Sequence, residues 1–461
     1  MVFVRRRRAD EGVVMGRELS RIFKAYDVRG LVDVDLDEDL VRQIGAAFAR
    51  VVSTTVAVVR DMRPSSESYA AALIDGVTGQ GQDAIDLGLG STDLVYFAAG
   101  QLDVAGAVIT ASHNPAQYNG IKLCRPRAVP VGRGSGLDDI RGMIHHGIPS
   151  YTGSTGRIVK RDDLPYRYAA YLRELVDLSG IRPLKAVVDA GNGMAGKMVP
   201  IVFDGLPVEL VPMYFELDGT FPNHEANPLD PANLVDLQTE VRRVGADIGL
   251  AFDGDADRCF VVDETGTPVS PSSIIALIAS RELRKAPGST IVYTAITSRA
   301  VPEIIAEHGG QPARTRVGHT HVKSLMAERD AIFGGEHSGH YYFRDFWNAD
   351  TGMLAALHVL AALGSTDQPL SRLISRYHRY VASGEINSTA SDGARVLAAV
   401  EQEFADAEID RLDGLTVQLP GGAWFNLRAS NTEPLLRLNV EAPDEHAMAR
   451  LRDDVLALIR R

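Results

Sequence analysis

The sequence predicts a multidomain α/β protein, and three observations carry that reading. Short apolar runs alternate with helical segments through most of the chain, the pattern of helices layered on sheets. The chain has 461 residues, more than one hydrophobic core fills, which suggests three or four domains. Three apolar strands each run straight into a polar loop of unusual composition: GAVIT (106–110) into ASHNP, IGLAF (248–252) into DGDADR, and AIF (331–333) into GGEHSGH. In open α/β sheets ligands sit at the carboxyl ends of strands. The three loops therefore belong together and read as a threefold structural repeat, without repetition of sequence.

The C-terminal part differs. TVQLP, GAWFNLRAS and LLRLNVEA read as antiparallel strands, and DEHAMARLRDDVLALIR as a closing helix. Boundaries fall near DDLPY (162–166), the turn DETGTPV (263–269) and YHRYVASGE (377–385). They give domains over 21–163, 164–267, 268–377 and 378–461 behind an N-terminal tail, 1–20. That tail begins MVFVRRRRADEG. A signal peptide would follow the basic run with an apolar stretch, so the segment reads as disordered, with Met15 a second candidate start.

Composition narrows the function. A formal net charge of -12 argues against a nucleic-acid binder. It leaves room for an anionic ligand, because a local cluster of Arg and Lys can make one cleft positive. Two cysteines make no disulfide framework and point to a reducing cytoplasm. No apolar run approaches the ~18–20 residues of a membrane helix.

In DGDADR, Asp253, Asp255 and Asp257 alternate, so their carboxylates can converge on one side. Three hard oxygen ligands suit Mg²⁺ or Ca²⁺. Asp253, Asp255, Asp257 and Glu264 fit positions 1, 3, 5 and 12 of a calcium EF-hand. However, Arg258 stands where that loop needs Gly, and the flanks IGLAF and CFVVD read as strands. Mg²⁺ is the favoured reading, with a solvated acidic turn as the rival. Magnesium keeps places open for phosphate oxygens, which points to a partner phosphate.

Ser112, in TASHNP, follows an apolar strand, and its hydroxyl is a poor nucleophile without a base or metal. The Asn119-Gly120 pair signals a turn that would bring Lys122 back beside Ser112. A lysine near a metal and other cations can have its pKa lowered enough to accept a proton. Taken alone, a helix N-cap serine and a surface lysine explain these residues better. GGEHSGH offers Glu336, Ser338 and His340 for vicinal hydroxyls, against a plain polar turn. In RASNTEP (428–434), Arg428 can fork onto a phosphate while Ser430, Asn431 and Thr432 complete a cradle, against an ordinary hairpin loop.

The order FKAYDVRG, TASHNP, DGDADR, GEHSGH, RASNTEP resembles the α-D-phosphohexomutases, and within them the bacterial phosphomannomutase/phosphoglucomutases. The resemblance runs from about Ile22 to the C-terminus. It implies four domains around a central cleft, three related mixed α/β domains plus a smaller α+β C-terminal domain. It also implies an isomerase that interconverts hexose 1-phosphate and hexose 6-phosphate through a phosphoserine enzyme and a hexose 1,6-bisphosphate. Carried over, Ser112 is the phosphoryl carrier, and Asp253, Asp255 and Asp257 hold Mg²⁺ with an oxygen on Ser112. Lys122 resembles the general base and Arg258 a reaction-site arginine. Glu336 and Ser338 match sugar-hydroxyl ligands; Arg428, Ser430, Asn431 and Thr432 match the site for the non-reacting phosphate. Tyr26, Arg29, His319 and His340 match cleft residues.

One departure is visible. Many relatives carry D-V-K-x-[ST]-R where this chain reads TAITSR (294–299), with Ile296 at the lysine position. Arg299 or Lys323 are candidates to supply the missing phosphate contact. The expected partner is a small phosphosugar, with no nucleic acid and no membrane, bound by a monomer or homodimer. The alternatives are a phosphoglucosamine mutase, a Mg²⁺-dependent sugar phosphatase, and a silent sugar-phosphate-binding protein.

Overall fold

The computed structural model describes residues 18–390, 392–429 and 435–460. The tail expected over 1–20 therefore lies mostly outside the described residues, as do Ser430, Asn431 and Thr432.

Three sheets share one four-strand unit. In the first, Val56–Arg60 lies between Ala84–Leu89 and Ala105–Ile109, all parallel, and Tyr118–Arg125 returns antiparallel beside Ala105–Ile109. The second repeats this with Leu184–Asp189 between Val208–Met213 and Ile248–Phe252, and Cys259–Asp263 returning. In the third, Thr290–Thr294 lies between Gln311–Thr315 and Phe333–Gly335, and Tyr341–Phe343 returns. The three polar loops thus occupy one topological position, the connection from the third strand to the antiparallel fourth. Ala105–Ile109 and Ile248–Phe252 are buried along their whole length. Covered on both faces, such strands read as continuous apolar runs. The third strand starts at Phe333, two residues later than AIF suggests. Asp330 ends the helix His319–Arg329 with φ 47°, and the Ala331 N–H still bonds the Met326 carbonyl of that helix.

One apolar core runs through these three sheets, from Val59 and Phe97 through Leu172 and Met198 to Ile275 and Phe343. The C-terminal sheet, ordered Val381–Thr389, Leu435–Ala442, Trp424–Ala429, Leu415–Gln418, Glu408–Asp410, is antiparallel throughout and packs on the closing helix Glu445–Ile459. Its core, centred on Phe425, Leu438 and Val455, is separate. It meets the third sheet through polar groups: Arg314 pairs with Asp410 at 2.6 Å, the Val317 N–H donates to Asp413 at 2.9 Å, and the Arg299 N–H to Glu441 at 2.9 Å. A polar seam of this kind permits relative domain motion in a way a shared apolar core does not. Among the described residues, no helix is long and apolar enough to cross a membrane.

Candidate active site

Ser112 follows the Ala105–Ile109 strand and is held with φ 52°, a left-handed conformation unusual for a residue with a side chain. No helix follows it, which removes the N-cap reading. Its loop is framed from within. The buried Arg63 guanidinium donates to the carbonyls of Ser112 (3.0 Å), Asn114 (2.6 Å), Pro115 (2.9 Å) and Tyr118 (2.9 Å). Asp61 pairs with Arg63 at 3.2 Å and neutralises it. The Phe221 ring of the second domain lies 5.1 Å from the guanidinium carbon, at cation–π distance.

The chain returns to the cleft, but not at Asn119-Gly120 as expected. Those residues lie inside the Tyr118–Arg125 strand, and the reversal is made over 111–118, where the Asn114 N–H bonds the Ala111 carbonyl. A Cβ on Gly120 would sit 2.3 Å from the Val28 carbonyl oxygen. This glycine serves the close approach of the Val28–Leu31 strand, not a turn.

The second loop meets Ser112 from across the domain boundary. Ser112 Oγ donates to Asp253 Oδ2 at 2.8 Å, and Arg258 Nη2 lies 3.2 Å from Ser112 Oγ. Arg258 Nε also bonds Asp253 Oδ2 at 2.9 Å and touches His113 Nδ1. Gly254 allows this contact, since a Cβ there would fall 2.5 Å from the Ser112 carbonyl oxygen. The loop joins two strands, not two helices, which removes the EF-hand reading.

Asp253, Asp255 and Asp257 are all buried, and one oxygen from each lies within 4.8 Å of the others. Asp255 Oδ1 and Asp257 Oδ1 are buried with no hydrogen-bond partner. Buried carboxylate oxygens without a donor are costly, and two aimed into one acidic cluster fit a hard divalent cation.

Lys122 lies 2.7 Å from Asp255 Oδ2 and 2.5 Å from Asp257 Oδ2. Burial alone would lower its pKa, but the two carboxylates outweigh burial and raise it. This reverses the lowering expected from the sequence, because the nearest charges are anions. Burial pushes the Asp253 carboxyl up, against the pull of Arg258. Burial acts the same way on Asp255, but Lys122 brings it below the ordinary carboxylate range.

A cleft of about 810 Å³ opens over these groups, lined by Ser112, Lys122, Asp257 and Arg258, by Tyr26 and Arg29 from the first domain, and by His319, Ser338 and His340 from the third. Arg29 donates to Asn114 Oδ1 and pairs with Asp27 at 2.6 Å. Ser338 Oγ and His340 Nδ1 are 2.9 Å apart. Glu336 is anchored by the Gly318 N–H at 2.8 Å and by the Tyr342 hydroxyl. Burial, aided by the Lys323 charge, lowers His319 to about 3, so its imidazole is neutral.

The comparisons with known proteins can now be set beside this geometry. Residues 20–146, 166–266 and 270–380 match phosphoglucomutase/phosphomannomutase alpha/beta/alpha domains I, II and III, and 385–458 match the C-terminal domain. The chain is 38% identical over 452 residues to a phosphomannomutase of Escherichia coli, covering 95% of this chain and 99% of that protein. The chain belongs to the phosphoglucomutase/phosphomannomutase family. It is 39% identical to the phosphohexose mutases of Xanthomonas campestris pv. campestris over 445 residues, covering 95% of this chain and 99% of that protein. The crystal structure of a phosphoglucomutase/phosphomannomutase family protein from Burkholderia thailandensis superposes with a TM-score of 0.86 at 33% identity, covering 95% and 97% of the two chains. The protein is a phosphohexomutase, hence an isomerase.

In this phosphohexomutase, ten of the residues singled out from sequence are adjacent to one another at the cleft: Ser112, Lys122, Asp253, Asp255, Asp257, Arg258, His319, Glu336, Ser338 and His340. Arg428 is described but stands apart from the cleft lining and pairs with Glu385 at 2.8 Å. Its cradle partners fall outside the described residues.

The position left by Ile296 is taken by neither cation named for it. Lys323 is buried, 2.6 Å from Asp350 and 4.3 Å from the centre of the Tyr96 ring, and Arg299 pairs with Glu303. Sequence reasoning missed Arg63, Asp61, Thr92, His113 and Asp350. Of these, His113 had a usable signal, since it adjoins Ser112 inside a motif already marked.

Proposed function

We propose that this phosphohexomutase interconverts the 1- and 6-phosphates of mannose and glucose through phospho-Ser112 and a hexose 1,6-bisphosphate. The observation that carries this reading is the meeting of Ser112 Oγ with Asp253 and Arg258 on the floor of a cleft whose opposite wall is the Ser338–His340 loop.

In the forward half-cycle, the hexose 1-phosphate O6 attacks the phosphorus on Ser112. The Oγ–P bond breaks and the O6–P bond forms, giving the bisphosphate. The bisphosphate turns over, and Ser112 Oγ takes back the phosphoryl group from C1. Phosphoryl transfer needs chiefly in-line placement and charge stabilisation. Arg258 supplies a fixed positive charge at Ser112 Oγ. Asp253, Asp255 and Asp257, with an oxygen on Ser112, would hold Mg²⁺, which would neutralise charge on the transferring group. Lys122 accepts the proton of the attacking hydroxyl once its hold on Asp255 and Asp257 is loosened. His319, kept neutral, orients sugar hydroxyls alongside Glu336, Ser338 and His340. Arg428 with Ser430, Asn431 and Thr432 binds the non-reacting phosphate when the C-terminal domain closes along its polar seam, excluding water from the phosphoserine.

Mannose and glucose differ only at C2, and a sugar loop gripping the far side of the ring tolerates both. Asn431 stands where phosphoglucosamine mutases typically have glycine. Turnover of mannose 1-phosphate and glucose 1-phosphate is expected, with glucosamine 1-phosphate clearly poorer. A coupled assay measures kcat/KM for the three sugars at fixed Mg²⁺ and bisphosphate. A preference for glucosamine 1-phosphate of about tenfold, roughly 1.4 kcal/mol, contradicts the reading.

A further inference from the structure

Thr92 was not marked by any motif, yet it touches the metal loop twice. It opens the helix Thr92–Leu102 in the first domain and is fully buried. Its N–H donates to the Asp255 carbonyl at 3.0 Å, and its Oγ1 donates to Asp255 Oδ2 at 2.5 Å. The same Oδ2 accepts from Lys122 Nζ at 2.7 Å. Both side-chain donors therefore fall on one oxygen, and Oδ1 is left buried with no donor.

The helix start cannot easily shift to change this. Asp93, the next residue, accepts from the hydroxyls of Ser91, of Tyr168 on the helix Leu164–Leu175, and of Thr351 in the third domain at 2.6 Å. Four hydroxyls at one helix start thus join residues of all three α/β domains immediately behind the metal loop.

We infer that Thr92 is a positioning residue for the cation site: its hydroxyl pins Asp255 Oδ2 and so presents Oδ1 as the ligand oxygen. Partners that orient a liganding carboxylate in this way typically contribute 10–100-fold in metal affinity. Lys122 cannot perform this alone, because it is shared with Asp257 Oδ2 and has a mobile stem. Thr92 has one rotatable bond and a backbone tied to the same aspartate.

This inference rests on the metal reading proposed above, and the test separates the two. Mn²⁺ binding to the full-length protein is titrated by the electron paramagnetic resonance signal of free Mn²⁺. Thr92→Val, which keeps shape and removes the hydroxyl, is expected to weaken binding about tenfold or more. Thr92→Ser is expected to bind close to wild type. Activity of the valine variant is expected to recover its kcat at raised Mg²⁺, since no ligand has been lost, whereas Asp255→Asn is not. Should the valine variant fail to fold, Thr92→Ala carries the same expectation. Wild-type affinity in the hydroxyl-free variant, or serine behaving like valine, overturns the role of the hydroxyl. Absence of Mn²⁺ binding in the wild type overturns the metal reading itself, and this inference with it.

Discussion

Ser112→Ala is expected to abolish multiple turnover, lowering kcat by ~10³-fold or more, because no other group can carry the phosphoryl between half-reactions. Ser112 Oγ is the only side-chain atom here that meets both Arg258 Nη2 and Asp253 Oδ2 at the cleft floor. Neighbouring hydroxyls do not substitute: Thr110 is engaged with the Ser112 N–H at 2.9 Å. The strained φ of 52° at Ser112 points the same way, since such geometry persists where surrounding contacts over-determine it. The Arg63 fan of donors supplies those contacts. The loop is therefore expected to keep its shape in the alanine variant, whose melting temperature stays near that of the wild type. Intact-protein mass is expected to show a phosphate adduct on the wild type that the variant lacks. Near-normal turnover by Ser112→Ala would contradict the carrier assignment.

Chelation of divalent cations is expected to lower activity at least ~10²-fold, with Mg²⁺ restoring it. Three buried carboxylates within 4.8 Å of one another face two cations, Lys122 and Arg258, and two of their oxygens have no donor. The cluster is short of positive charge, and the shortfall grows when Ser112 carries a phosphate. Asp255→Asn is expected to raise the Mg²⁺ concentration needed for half activation and to leave kcat low at saturation. The measurement is initial rate against free Mg²⁺ in a metal-buffered assay. An enzyme indifferent to EDTA would contradict the assignment.

The parts of this site that sequence disclosed are those with a local pattern. Ile248–Phe252 is apolar because both faces are covered, and the three aspartates that follow alternate with small residues, so strand and ligand set are adjacent in the chain. GEHSGH is legible for the same reason. What sequence missed is joined over distance. Arg63 meets Ser112 across 49 positions and Thr92 meets Asp255 across 163. A single polar residue at such separation leaves no periodicity to read, and only folding brings the two together. Asn119-Gly120 misled because the same pair serves two purposes. Its usual use is a tight turn, but here the Val28–Leu31 strand lies too close for any side chain. The direction of the Lys122 shift was misread for a related reason: its location beside cations was legible, its two carboxylate partners were not.

The most direct test of the account follows the phosphoryl group itself. Protein labelled with ³²P on Ser112 is mixed with excess unlabelled mannose 1-phosphate in Mg²⁺ and quenched after a single turnover, and the products are separated. The account predicts that the label leaves Ser112 and appears in hexose 1,6-bisphosphate and hexose 6-phosphate, with little as inorganic phosphate. Label released chiefly as inorganic phosphate, or retained on the protein while product forms, would contradict it.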